Sequence, residues 1–179
     1  MNNIKIDEIK WNNLESYDLS SKDKTKMRLF LLNSQPPSEW LKKNPMSKNY
    51  YLPIDKIEYL LTMFFGKWYV EIKDYKLILN SMTILIRLFY LDPDTNEYEH
   101  QDGGAAWPVQ VKKDTDYMQL TKNMQQAGIT MALPIAKSLA IKDAADHIGR
   151  IFGRDVNRKN IMPFNNLVND FKNVKIIEK

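Results

Sequence analysis

The spacing of apolar residues changes along the chain, and each change marks an element. Between Pro53 and Phe65, apolar side chains fall at Ile54, Ile57, Leu60, Leu61 and Phe64, the three- and four-residue steps of a helix with one buried stripe. Pro53 in the first turn, Asp55 near the positive end of the dipole and Gly66 just past the last apolar residue frame it. From Lys67 the period becomes two. Trp68, Val70 and Ile72 alternate with Lys67, Tyr69, Glu71 and Lys73, a strand with one wet face, and a second run over Lys76 to Leu79 continues it through a bend at Asp74. Met82 to Leu91 is the strongest strand, with Arg87 as its only charge, on the face of Thr83, Leu85 and Phe89. Asp92-Pro93-Asp94-Thr95-Asn96 has the composition of a turn. Tyr98, His100 and Asp102 then alternate with Glu99 and Gln101 in a more polar strand that Gly103-Gly104-Ala105-Ala106 is expected to end. A three-stranded antiparallel meander is the simplest topology.

A second helical pattern runs from Ala132 to Asn160, expected to start at Leu133-Pro134. Ile141, Ala144, Ala145, Ile148, Ile151 and Phe152 share one face. Lys142, Asp146, Arg150, Arg154 and Arg158 advance by four on another, with Lys159 beside the last. Arginine suits phosphate because its planar fork donates paired hydrogen bonds; a solvated helix face is the bland alternative. Gly149 and Gly153 imply close backbone approach, or a helix that ends near Gly153.

The flanks are less patterned. Ile6, Ile9 and Leu14 fit a short amphipathic turn, Met27 to Leu32 a strand or a helix, Ser38-Glu39-Trp40-Leu41 a single capped turn, Tyr117 to Gln126 a helical segment, and Phe164, Leu167, Val168 and Phe171 a helix lying back on the body. With no dividing linker, the 179 residues are expected to form one domain: a 1–50 helical segment that packs between subunits or on its own core, a 51–160 core and a 161–179 tail.

Composition narrows the chemistry. There is no cysteine, so disulfides, thiolate metal sites and cysteine nucleophiles are excluded. No signal peptide and no run of about 18 apolar residues is present, so a soluble, cytoplasmic protein with no membrane contact is expected. The net charge of +4 is unevenly placed: residues 92–139 carry four bases and seven acids, residues 140–179 eight bases and five acids. No phosphate loop, dinucleotide fingerprint or nucleophile elbow occurs, so neither ATP nor another cofactor is expected. Glu97, Glu99, His100 and Asp102 form the one cluster with metal-ligand chemistry, but alternation gives each strand face only two plausible ligands, and a polar edge strand is the simpler reading. His147, beside Asp146, reads as a packed or solvated histidine. Aromatics at Trp68, Tyr69, Tyr75, Phe89 and Tyr90, interleaved with Lys67, Lys73, Lys76 and Arg87, suit single-stranded nucleic acid, although most should lie inside, with Tyr69 and Tyr75 exposed.

The order of these elements resembles the Rad-fifty-two superfamily of single-strand annealing proteins, including phage recombinases. Carrying the resemblance are Leu52-Pro53-Ile54, Phe65-Gly66-Lys67-Trp68, the hairpin, His100-Gln101-Asp102-Gly103-Gly104, and above all Ala140-Ile141-Lys142-Asp143-Ala144 followed by Arg150-Ile151-Phe152-Gly153. It covers roughly residues 50–160, so the core at 51–160 is expected to be the annealing core. It implies an α+β fold in which a helix, a three-stranded antiparallel meander and a long helix packed on the sheet form an oligomeric ring or arc. It also implies ATP-independent binding and annealing of single-stranded DNA in a basic groove, without enzymatic turnover. Arg150 is the phosphate contact the resemblance carries over. Where the family has a basic pair this chain has Asp146 and His147, which shifts binding to Arg154, Arg158, Lys159 and Lys142, with Arg87, Lys67, Lys73 and Lys76 from the sheet. Single-stranded DNA and further copies of the chain are the expected partners, an exonuclease or a single-strand-binding protein further candidates, and a phage genome the expected source. The rival readings are a metal-dependent nuclease using Glu99, His100 and Asp102, and a self-assembling structural protein that binds no DNA.

Overall fold

The computed structural model describes residues 21–45 and 47–159, so the segments around Ile6, Ile9 and Leu14 and around Phe164, Leu167, Val168 and Phe171 lie outside the described residues. The chain is α+β. Helix α1 (Ser21–Leu32), the helical alternative for Met27 to Leu32, is followed by a 3-10 turn at Ser38–Trp40 and a short antiparallel pair, β1 (Lys42–Lys43) and β2 (Tyr50–Tyr51). Helix α2 (Ile54–Phe65) leads into the meander β3 (Trp68–Ile78), β4 (Ser81–Leu91) and β5 (Tyr98–Pro108), ordered β3-β4-β5. A 3-10 segment at Tyr117–Asn123 precedes the long helix α3 (Gln126–Ile148).

Helix α2 forms as its sequence dictates. Ile57, Leu60, Leu61, Phe64 and Phe65 are buried, and Gly66 closes the helix at φ 66°. Each of these side chains contributes on the order of 1.5–3 kcal/mol before the cost of ordering is subtracted. Strand β3 is continuous, and the bend near Asp74 is a register shift between Ile72 and Asp74. Ile84, Ile86 and Leu88 of β4 are buried toward the helices, whereas Thr83, Leu85, Arg87 and Phe89 share the opposite face.

Three expectations are corrected. Strand β5 continues through the glycines to Pro108, because Gly103 is where the sheet meets α3: a methyl there would lie 2.3 Å from the Ala140 carbonyl oxygen and 2.6 Å from the Ala144 nitrogen. The glycine is an approach point, not a stop signal. Helix α3 begins at Gln126, ahead of Leu133-Pro134. The Gln125 amide donates to the Gln110 carbonyl at 2.8 Å, and Gly128 packs so closely that a methyl would lie 2.9 Å from the Gln110 nitrogen. Together with the fully buried Ala132, Ala136, Ala140 and Ala144, Gly128 makes a stripe of small residues that seats the helix on the sheet. Pro134 sits on the exposed side, where the Thr130 carbonyl it leaves without a helical donor can turn to water. Finally, the helix stops at Ile148. Gly149 is extended (φ −171°, ψ 161°) against the Leu32 carbonyl oxygen, which a methyl would approach to 2.5 Å. The helical row from Lys142 to Arg158 is therefore broken. Arg150 enters a 3-10 turn (Arg150–Phe152), and Gly153 turns left-handed at φ 111°.

Candidate nucleic-acid interface

The segment after α3 is held against the β1–β2 pair by one side chain. Asn157 Nδ2 donates to the Tyr50 carbonyl at 2.7 Å, and the Tyr50 amide donates to Asn157 Oδ1 at 2.8 Å. An asparagine thus completes the edge of a two-residue strand as another strand would. Lys43 is the cross-strand partner of Tyr50, with its Nζ 5.8 Å from the Tyr50 ring centre. Lys42, Lys43 and Lys48 on the hairpin and Arg154, Arg158 and Lys159 on the clamped segment are all exposed. No acid occurs between Leu41 and Leu52.

The acid within the clamped segment, Asp155, faces inward. Asp155 is buried, with its Oδ2 2.9 Å from Arg150 Nε and its Oδ1 3.1 Å from Arg158 Nε. These are contacts of charge, since neither Arg150 Nε nor Asp155 Oδ1 has an aligned hydrogen bond. The Arg150 side chain is 12% exposed and its charge is taken up inside the protein, whereas that of Arg158 is 65% exposed and keeps donors for solvent or a ligand. Lys142 is half-buried with its Nζ 5.1 Å from the Tyr51 ring centre. Burial lowers its pKa, opposed by the charge of Asp146. Asp146 is half-buried, and its Oδ1 has no hydrogen-bond partner. Burial pushes its carboxyl up to about 6 against the pull of Lys142; Asp143 adds to the rise, and His147 and Arg154 oppose it.

The cations expected on the sheet form a separate group on the face away from α3. Arg87 pairs with Asp102 in a fork, Nε to Oδ1 at 2.6 Å and Nη2 to Oδ2 at 2.8 Å. That hydrogen bonding raises the Arg87 pKa and lowers that of Asp102. Lys73 pairs with Glu71 at 3.1 Å and Lys76 with Asp74 at 2.7 Å, and the Lys76 hydrogen bond holds Asp74 below the usual carboxylate range. Lys67 is exposed just before β3. The rings on this face contact one another: Tyr69 stacks on Phe89 at 4.8 Å and 12°, and His100 lies 5.7 Å from Phe89. Tyr69 and Tyr75 are exposed, and Trp68 and Tyr90 pack against the core. Pairing places Glu99 on the opposite face from His100 and Asp102, and among the described residues no group of three candidate metal ligands converges.

The motifs that prompted the family resemblance are a packing seam. Asp143 Oδ2 accepts the Gly104 amide at 3.0 Å, satisfying an edge donor of β5, while Gly103 lies under Ala140 and Ala144. Phe152 is fully buried, 6.4 Å from Phe64 between ring centres. Sequence reasoning missed Lys42, Lys43, Lys48 and Tyr50. The adjacent lysines and the absence of acids were visible, but nothing local tied them to residues a hundred positions away. Among the described residues no helix is long and apolar enough to cross a membrane. Comparison with protein-family models finds no match, and comparison with curated proteins finds no relative, so the family resemblance rests on the motifs and their order.

Proposed function

We propose that the protein binds single-stranded DNA along its phosphates and anneals complementary strands without ATP, as a homo-oligomer. The observation that carries this reading is the exposed rim of Lys42, Lys43, Lys48, Arg154, Arg158 and Lys159, with Asp155 turned inward and the exposed Tyr50 clamped to Asn157 between the two sets of cations. Such a rim offers cations to a backbone and one flat ring to a base, and it offers nothing that reads sequence. Bases of a bound strand therefore stay free to pair. Arg150 in this reading is a scaffold residue: its pairing with Asp155 shapes the turn that presents Arg154 and Arg158.

Two oligonucleotides, one carrying a dye and one a quencher, test this when mixed without nucleotide. The wild-type protein is expected to accelerate pairing, and Lys42→Ala/Lys43→Ala/Arg154→Ala/Arg158→Ala to lose the acceleration while keeping its circular dichroism. If each cation of the rim meets a phosphate, the slope of log affinity against log salt is about −4, and affinity falls on the order of a hundredfold between 50 and 200 mM salt. A flat salt response, or full activity in the quadruple variant, would remove the rim from the function.

A further inference from the structure

The β3–β4 turn has a composition that folding alone does not explain. Ile78 pairs with Ser81, so Leu79 and Asn80 form a two-residue turn, and Leu79 holds φ 55°. Glycine, asparagine or aspartate usually occupies such a position, because a branched side chain there is strained. Leu77, Ile78 and Leu79 are all exposed, in a run that soluble surfaces avoid. The tip is nevertheless fixed. Asn80 Nδ2 donates to the Val109 carbonyl at 3.2 Å, and the Val109 amide donates to the Asn80 carbonyl at 2.6 Å. A strained, rigid, apolar projection suggests a part shaped for contact.

A receptor of matching chemistry lies elsewhere on the same chain. Leu52, Ile54, Pro134, Ile135 and Leu139 line an open, mostly apolar groove of about 360 Å³, whose lining Tyr51, Ser138 and Lys142 complete. The tip stands at the Pro108 end of the sheet, near the start of α3, whereas the groove lies on the middle of α3, beside the start of α2. Two different surfaces on one chain that suit each other make a head-to-tail contact, which repeats from copy to copy.

We propose that the β3–β4 tip of one copy seats Leu77, Ile78 and Leu79 in the groove between α2 and α3 of the next. This deepens the self-association in the proposed function and does not depend on DNA. The contact is small, so each link is weak and assembly grows with protein concentration. It is apolar between chains of net charge +4, so salt screens the repulsion and leaves the attraction. Assembly therefore holds or tightens in salt that weakens DNA binding. The groove includes Lys142 and Tyr51, and Tyr51 follows the rim's Tyr50 in the chain, so a seated tip brings the neighbouring copy close to that rim.

Sedimentation velocity of the full chain without DNA, across a wide concentration range, tests the contact. Two variants carry it, Ile78→Ser/Leu79→Ser at the tip and Ile135→Glu/Leu139→Glu in the groove. Wild type is expected to sediment as species heavier than the 21.1 kDa chain, increasing with concentration, and each variant as the single chain. An equal mixture of the two variants retains one good tip and one good groove, and it should stop at twice the chain mass. If the serine variant does not fold, Leu79→Gly removes the side chain at a φ that glycine accepts and is expected to shift assembly to higher concentration. The proposal is overturned if wild type is monomeric throughout, if either double variant assembles as wild type does, or if the mixture stays monomeric. A groove variant that only loses thermal stability would mean the chain's own segments cover the groove. One that only loses affinity for single-stranded DNA would mean the groove holds a base. Either result also overturns it. Assembly without annealing would sink the proposed function and leave this contact standing; annealing by a monomer would sink this contact and the homo-oligomer, and leave only the strand binding and annealing standing.

Discussion

Replacing Asp146 by asparagine should make the protein more stable at neutral pH and about a third as much so at pH 4.5. The folded carboxyl titrates near 6 against an ordinary value of 3.8, because burial disfavours its charge more than Lys142 favours it. Each pKa unit corresponds to about 1.4 kcal/mol, so the ceiling is roughly 3 kcal/mol. The side chain keeps some solvent contact, and the substitution also removes the charge that holds up the Lys142 pKa, so about 1–2 kcal/mol is the working figure. Between pH 3.8 and 6 the unfolded chain has released this proton and the folded chain still holds it. Stability from this group thus falls as pH rises through that window, and the full penalty stands above it. Asp146→Asn removes the penalty while keeping the shape. Urea titrations of both proteins at pH 7.5 and pH 4.5 measure the difference, and heating should show a gain of roughly 2–8 °C at the higher pH. A variant no more stable than wild type at pH 7.5, or a gain of equal size at both pH values, would refute the assignment of Asp146 as a buried, poorly compensated carboxylate.

Other changes probe the seam, the turn and the arginines. Gly103→Ala should cost at least 1–3 kcal/mol by chemical denaturation, since its methyl would overlap backbone atoms of α3 rather than a movable side chain; unchanged stability would mean that helix and sheet are not in contact there. Leu79→Gly should stabilise the hairpin by about 1 kcal/mol through relief of its positive φ, less the entropy glycine adds to the unfolded chain, and a lower thermal midpoint would contradict the strain. Arg150→Ala should destabilise the fold by about 2–4 kcal/mol, because Asp155 stays buried with only Arg158 beside it, whereas Arg154→Ala should weaken DNA binding at unchanged stability. Equal effects of the two on stability would erase the distinction between scaffold and rim.

The local elements were legible because their signals are local. The α2 stripe, its glycine cap, the alternation in β3 and β4, and the turn after Leu91 each depend on neighbours within a few residues, and each forms where the pattern places it. The misreadings share one cause. Gly103-Gly104 read as a stop and Leu133-Pro134 as a start because glycine and proline were given their local meaning; of the two readings of Gly149 and Gly153, close backbone approach holds at Gly149, and the helix ends at Ile148 rather than near Gly153. In the fold, Gly103 and Gly128 mark where α3 approaches the sheet and its following loop, and Gly149 marks where the chain passes Leu32.

The candidate site divides in the same way. The sequence by itself determined which side chains carry positive charge, that no cysteine chemistry is available, and that an α+β core of helix, meander and helix would form. Tertiary structure decided which charges are free. It turned Arg150 onto Asp155, paired Arg87, Lys73 and Lys76 with acids on their own sheet face, and used Asn157 to bring the lysines of β1–β2 beside Arg154 and Arg158. The physical reason is that helix and strand periods arise from bonds between near neighbours. Whether a cation is spent inside the protein or left for a ligand depends on which distant carboxylate the fold sets within a few ångströms of it.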